Sequence, residues 1–148
     1  MQERFETFTV LIAGINRSIR KLKTEEMAEL ELKSPHVSCL YYLHKMGELT
    51  AKELCDVCEE DKAAVSRSIE YLEANGFLTC ASQTQKRYTA QLSLTQKGRE
   101  AATRLAEKID GVLARSAQGL SEEELAIMYR ALAQVAANLR RLCERYED

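Results

Sequence analysis

Two long amphipathic stripes, one toward each end of the chain, set the first constraint on its fold. Near the N-terminus Phe5, Phe8, Ile12, Ile15, Ile19 and Leu22 recur at three- and four-residue steps, which places them on one face of a helix. Near the C-terminus Leu125, Met128, Leu132, Val135, Leu139 and Leu142 do the same. The 148 residues suit one domain, and its middle portion is too small to cover both stripes. Left bare, they exceed the apolar patch that a soluble monomer tolerates. The economical solution is a symmetric dimer in which terminal helices of two chains interlock. Phe5, Phe8, Ile12, Leu132, Val135, Leu139 and Leu142 are the candidate interface. A helical bundle within one chain is the alternative.

Between the stripes the punctuation is regular. A single proline and six glycines leave few breaks, so helices are expected to be long. Ser34-Pro35 reads as a helix start, serine as N-cap and proline in the first turn, with Val37, Leu40 and Leu43 inward and an end near Met46-Gly47. The acidic run Glu25–Glu31 before it reads as a connection or a short helical turn. Thr50-Ala-Lys-Glu53 matches a capping box and opens a short helix carrying Leu54, Val57 and Cys58. Asp61 is a candidate N-cap for a further helix with Val65, Ile69 and Leu72 inward, ending at Asn75-Gly76. The period then changes. Residues 77–82 and 88–94 are rich in β-formers and flank a polar tip, Gln83–Arg87, so a hairpin with a basic loop is predicted. Thr95 caps a helix from Gln96 to about Ala117 with Leu105, Ile109 and Val112 inward. Gly119-Leu120 breaks it, and a second capping box, Ser121 to Glu124, opens the last helix.

Two short helices joined by a tight turn and followed by a basic hairpin describe a winged helix-turn-helix. The residues also resemble a known family. Leu49-Thr50, Glu53-Leu54, Asp61-Lys62, Val65-Ser66-Arg67, Leu72-Glu73, Gly76-Phe77-Leu78, Leu94-Thr95 and Lys97-Gly98 stand in the order found in the MarR (multiple antibiotic resistance regulator) family of transcription factors. The resemblance covers roughly Ser34 to Arg104, and the flanking helices match in placement and length. The expected fold is therefore mainly α (α+β), a winged helix-turn-helix with long N- and C-terminal dimerisation helices. One domain spans residues 1–148: 1–33 the N-terminal dimerisation helix and connection, 34–95 the DNA-binding core, 96–148 the C-terminal dimerisation helices.

The helix after Asp61 supports DNA binding on physical grounds. At 100° per residue, Ala63 and Arg67 point nearly opposite the side defined by Val65, Ile69 and Leu72, with Ser66 and Glu70 on a flank. Small residues and one arginine facing outward let a helix lie deep in the major groove, where arginine can pair bidentately with guanine and Ser66 can reach a base or phosphate. Lys62 at the helix N-terminus is placed for a phosphate contact. The resemblance implies an acidic-x-arginine wing whose arginine enters the minor groove. Counting back from Leu94-Thr95 puts Lys86 at the acidic position and Tyr88 at the arginine position, with Arg87 between them. A one-residue difference in the loop restores the role to Arg87, with Lys86 as phosphate contact. The missing acid removes the family's usual salt bridge within the wing.

The resemblance further implies a homodimer binding double-stranded DNA at a pseudo-palindromic operator, as a repressor more readily than an activator. It implies release by a small aromatic or phenolic effector held between the dimer helices and each winged domain. Ile12, Asn16, Tyr41, Tyr42 and His44 are the candidate pocket residues by position.

Five cysteines, an odd number, argue against a disulfide framework. Cys55-Asp-Val-Cys58 invites a redox or zinc reading, but no second pair completes a zinc site, and both residues fall where a core residue is expected. Cys39 also sits at a core position. A thiol-based redox-sensing regulator is the alternative function, and a helical dimerisation adaptor with a vestigial DNA module is another. His36 and His44 lack paired metal-ligand spacing and read as a surface residue and a C-terminal cap contact. No catalytic constellation, phosphate loop, cofactor motif or metal cluster stands out, so neither an enzyme nor a cofactor is expected. The longest charge-free N-terminal run, Thr7 to Asn16, is too short for a membrane helix and is not followed by the cleavable small-residue site of a signal peptide, so a cytoplasmic location is expected.

The net charge of −2 would alone argue against nucleic acid. Along the chain, however, residues 1–24 carry +3, 25–60 carry −6, 61–104 carry +3 and 105–148 carry −2. The binding half is basic. The acidic stretch limits affinity for random DNA without excluding DNA.

Overall fold

The N-terminal stripe folds as a 25-residue helix, α1 (Gln2–Glu26). A computed structural model describes residues 2–58, 60–82 and 85–146, apart from the side chains of Gln2, Glu3, Phe5, Gln85 and Lys86. Two compact units are present, residues 1–110 and 111–148. The first holds α1, a 3₁₀ turn (Ala28–Leu30), α2 (Ser34–Met46), β1 (Leu49–Thr50), α3 (Ala51–Val57), α4 (Lys62–Ala74), β2 (Leu78–Cys80), a second 3₁₀ turn (Gln85–Thr89), β3 (Gln91–Leu94) and the start of α5 (Gln96–Ser116). The second holds the end of α5 and α6 (Glu122–Glu144).

The core of the first unit lies where α2 and α4 pack on one another and on the sheet. Val37, Leu40 and Leu43 of α2, Leu54 of α3, Val65, Ile69 and Leu72 of α4, Leu92 and Leu105 are all buried in it, as their spacing predicts, and Phe77 and Leu78 join them. Cys39 is also a core residue, while Cys55 and Cys58 are half-buried against the same cluster. The predicted caps are present. Glu53 N–H donates to Thr50 Oγ1 at 3.1 Å while Thr50 N–H donates to Glu53 Oε2 at 2.8 Å. Ala64 N–H donates to Asp61 Oδ1 at 2.7 Å, and Ser121 and Glu124 form the reciprocal box that opens α6.

Three local expectations need correction. Ser34 is not the cap of α2: it is the first helical residue, with Lys33 before it as N-cap. Lys33 N–H donates to His36 Nδ1 at 3.0 Å and Ser34 N–H to Thr24 Oγ1 at 3.1 Å, so an imidazole and a threonine on α1 take the work assigned to the serine hydroxyl. Nor is His36 a plain surface residue. It is half-buried and stacks on Tyr71 of α4 at 4.2 Å between ring centres with 7° between planes. The strands are shorter than predicted, because residues 85–89 wind into a 3₁₀ turn that takes Tyr88 out of β3. β1 was not predicted. Two residues long, it pairs antiparallel with β3 and completes a sheet of order β1-β3-β2.

The seam between β2 and α5 depends on a glycine. Gly98 N–H donates to Thr95 Oγ1 at 3.1 Å, Thr95 N–H donates to Phe77 O at 3.1 Å, and a Cβ on Gly98 would lie 1.9 Å from Phe77 O. Only glycine allows the strand's carbonyl to sit over the first turn of the helix.

The two terminal stripes are not absorbed by either unit's core. Phe8, Ile12, Ile15, Ile19 and Leu22 on α1, and Met128, Leu132, Val135, Leu139 and Leu142 on α6, are exposed. Phe5, predicted on the same stripe, lies outside the described side chains. No helix among the described residues is long and apolar enough to cross a membrane.

Two outcomes follow from this packing. Gly98→Ala should lower stability by about 1–3 kcal/mol, the usual cost of forcing atoms into a filled site. Urea unfolding checks it, and an unchanged midpoint would refute the close approach. Burial first, and the Lys33 charge second, hold the His36 imidazole below its ordinary range. As pH falls, the unfolded chain therefore binds its proton first, near the unperturbed value of about 6.5. Stability contributed by His36 is intact above that pH and is lost as pH falls through it toward the lower folded value. The wild-type curve should decline there relative to His36→Gln, whose stability lacks this component.

Candidate nucleic-acid interface

The helix-turn-helix is α3, the turn through Cys58 and Asp61, and α4. Its outward surface is set by what α4 buries. Ala64, Val65, Ser68, Ile69 and Leu72 face the core, and the Ser68 hydroxyl donates to Ala64 O at 2.8 Å, which satisfies it within the helix. Lys62, Ala63, Ser66 and Arg67 are exposed, with Ala63 and Arg67 opposite the buried face, Ser66 on its flank and Lys62 at the helix N-terminus, as their spacing predicts. Arg67 pairs with none of the described residues. Small side chains beside a reaching guanidinium suit insertion into the major groove.

The wing returns to α4 through contacts that spacing could not supply. Lys62 Nζ lies 4.8 Å from the centre of the Tyr88 ring, which draws the helix N-terminus and the wing together. Arg87 Nη2 donates to Glu73 Oε1 at 2.7 Å, while Glu73 Oε2 is buried without a partner among the described residues. Arg87 is thus a strut between wing and helix in this conformation. The Lys86 side chain lies outside the described residues. A recess of about 310 Å³ opens between α4 and the wing, with Ser66, Ile69, Glu70, Cys80, Arg87 and Tyr88 in its wall.

A second hollow of about 250 Å³ lies behind the helix-turn-helix. Ile19 and Lys23 of α1, Ser38, Tyr41 and Tyr42 of α2, and Ile109 of α5 line it. The two tyrosine rings meet edge to face at 5.4 Å, and Lys23 Nζ donates to Ser38 Oγ at 2.9 Å. Of the five pocket residues predicted, Tyr41 and Tyr42 are brought together here, whereas Ile12, Asn16 and His44 are exposed and stand outside the lining. Lys23 and Ser38 were missed. They lie fifteen residues apart, on helices whose mutual packing no local pattern reports.

α1 is fastened to the turn as well. Arg20 Nη1 donates to Glu60 Oε1 at 2.6 Å, and the Glu60 side chain is only 7% exposed. Among the described residues no group of His, Cys, Asp and Glu is arranged to hold a metal ion.

Comparison with known proteins agrees with this architecture. A model of the MarR family matches residues 30–87. An uncharacterized HTH-type transcriptional regulator of Bacillus subtilis is 26% identical over 137 residues, covering 93% of this chain and 80% of its own. A MarR family transcriptional regulator from Listeria monocytogenes, solved in complex with a 26mer DNA, superposes with a TM-score of 0.77 at 24% identity, over 86% of this chain and 85% of that one. An organohalide-sensing transcriptional regulator in its 2,4-dichlorophenol-bound form superposes with a TM-score of 0.76 at 19% identity, over 90% and 79%.

Arg87 and Glu73 retain 33% and 26% side-chain exposure, so solvent screens their pairing. A double-mutant cycle with Arg87→Ala and Glu73→Ala, read by chemical unfolding, should give a coupling of about 0.5–1 kcal/mol. Strict additivity would show that the strut contributes nothing.

Proposed function

We propose that the chain is a MarR-family transcriptional regulator, a reading supported by the match to its winged-helix core, and that it acts as a homodimeric repressor. In this reading two copies bind a pseudo-palindromic operator in double-stranded DNA and a small aromatic or phenolic effector releases them. The observation that carries it is the outward face of α4, where Lys62, Ala63, Ser66 and Arg67 stand exposed above a fully buried inner face. Arg67 takes the base-reading role and Ser66 a base or phosphate. Lys62 and Lys86 take phosphates, and Arg87 takes the minor groove once freed from Glu73.

Dimerisation is supported by the exposed stripes. Phe8, Ile12, Leu132, Val135, Leu139 and Leu142 lie on surfaces that a second copy would cover, with Phe5 continuing the α1 stripe by sequence. A two-fold dimer sets its recognition helices about 34 Å apart, one turn of DNA. The effector reading is supported by the hollow beside Tyr41 and Tyr42, whose aromatic walls suit a ring and whose Lys23 suits a phenolate or carboxylate. The DNA carried by one relative and the dichlorophenol carried by another favour the same assignments.

Titration against the DNA upstream of the protein's own gene, at two salt concentrations, tests the proposal. Affinity should fall as salt rises, because phosphate contacts release counterions. Arg67→Ala should cost about 1–3 kcal/mol and relax sequence preference at one position per half-site. Salt-independent or absent binding would overturn the reading.

A further inference from the structure

Ser34, the first residue of α2, is 3% exposed, and its hydroxyl has no hydrogen-bond partner among the described residues. Buried polar groups are rarely left so. Ser34 borders a recess of about 450 Å³ between the last turns of α1 and the start of α2, which shares no wall residue with the aromatic hollow. Thr24 lies beside it in the wall. Its Oγ1 accepts the Ser34 N–H at 3.1 Å, so its own hydroxyl proton is directed elsewhere and meets no acceptor among the described residues. Lys21 and Lys33 also stand in the wall, exposed and without an ion pair to any described residue. The 13-residue α2 begins at the same place and adds the positive end of its dipole. Its first amides add nothing further: Lys33 N–H and Ser34 N–H are engaged by His36 Nδ1 and Thr24 Oγ1, and Pro35 has none.

We propose that this recess binds a small phosphate-bearing anion, inorganic phosphate or a phosphate monoester, through Lys21, Thr24, Lys33 and Ser34. Side-chain donors that lack acceptors converge there, so the missing group is an acceptor, and the ammonium charges make it an anion. The wall carries no aromatic ring, in contrast to the tyrosine hollow, and does not suit a ring-bearing ligand. A tetrahedral phosphate offers separate oxygens to two hydroxyls and two ammonium groups, where a carboxylate crowds them onto two oxygens. Glu25 is the acidic side chain in the wall and opposes any anion, so the site favours one that carries more than a single charge.

Arg20 borders the same recess while its Nη1 donates to Glu60 Oε1 at 2.6 Å. A phosphate in the recess competes with the Glu60 carboxylate for that guanidinium. Occupation is thereby reported to the turn that precedes Asp61 and α4. Its effect on DNA rests on the function proposed above; the anion site itself does not.

The test titrates the ¹⁵N-labelled full-length protein with sodium phosphate, holding ionic strength constant with sodium chloride, and follows the amide resonances. Saturable shifts at Thr24, Lys33 and Ser34 are expected, with Glu60 and Asp61 moving along the same curve. Lys33→Gln and Ser34→Ala should each weaken phosphate about three- to tenfold, the range of one net hydrogen bond. Glu25→Gln should tighten it, an effect that a merely structural role would not produce. Lys45→Gln, the same charge change at the far end of α2, should leave phosphate binding as it is. Shifts that sodium chloride alone reproduces, or an equal loss in Lys45→Gln, would show diffuse charge in place of a site and overturn the proposal. Glu60 and Asp61 resonances that stay fixed while Ser34 saturates would overturn the competition for Arg20. Should Lys21→Gln and Lys33→Gln keep phosphate binding but lessen the salt dependence of binding to upstream DNA, the wall meets the DNA backbone and the proposal fails. Absence of DNA binding by the wild type would refute the regulator reading, leaving the phosphate titration to judge the recess.

Discussion

The packing of α4 against α2 is the contact on which the rest of the structure depends. Burying Val65, Ile69 and Leu72 against Val37, Leu40 and Leu43 fixes the rotation of α4 about its own axis. With the rotation fixed, the identity of the outward residues follows, since they sit about half a turn away. Asp61 fixes where the helix begins, and the His36–Tyr71 stack ties its last turns to the start of α2. The surface proposed to read DNA is thus the complement of a hydrophobic core. Altering the inner face would re-aim the outer one even with every outward residue retained.

The legible parts of the chain were those governed by short range. Capping boxes at Thr50 and Ser121, the cap at Asp61 and the apolar period of each helix are statements about residues three or four apart, and each appears where its pattern places it. The misreadings have a common cause. The cap of α2 is built from His36 and from Thr24 on another helix, so a serine before a proline gave a plausible but wrong local answer. β1 consists of two residues that qualify as a strand only because β3 arrives beside them. Tyr88 has strand propensity, yet lies in a 3₁₀ turn with Lys62 over its ring.

The candidate site divides along the same line. Lys62, Ala63, Ser66 and Arg67 could be grouped from the sequence because one helix carries them all, and helical geometry alone orders their exposure. The Arg87–Glu73 strut joins residues fourteen apart and depends on the path of the wing. Half of Glu73's carboxylate is buried without a partner, so the guanidinium offsets a desolvation cost that would otherwise fall on α4. The arginine that the family resemblance suggests for the minor groove therefore has a second occupation, and under the function proposed above DNA would compete with Glu73 for it.

α1 inverts the usual arrangement of a surface helix. Its polar side is bonded to the body: Arg20 to Glu60, Lys23 to Ser38, Thr24 to the Ser34 amide, and the Glu26 carbonyl to Lys108 of α5. Its apolar stripe from Phe8 to Leu22 faces outward. Hydrophobic burial cannot hold that stripe in place, so directional bonds position the helix and leave the apolar face for another surface. Under the homodimer proposed above, covering that face would make these polar links the route by which the dimer feels the recognition helix. Arg20 reaches the turn before α4, and Lys23 lines the aromatic hollow one helical turn further on. A ligand that displaced Lys23 would act on the same rigid helix that grips Glu60. Coupling between hollow and turn then requires only that α1 move as a body, which a continuous hydrogen-bonded helix does.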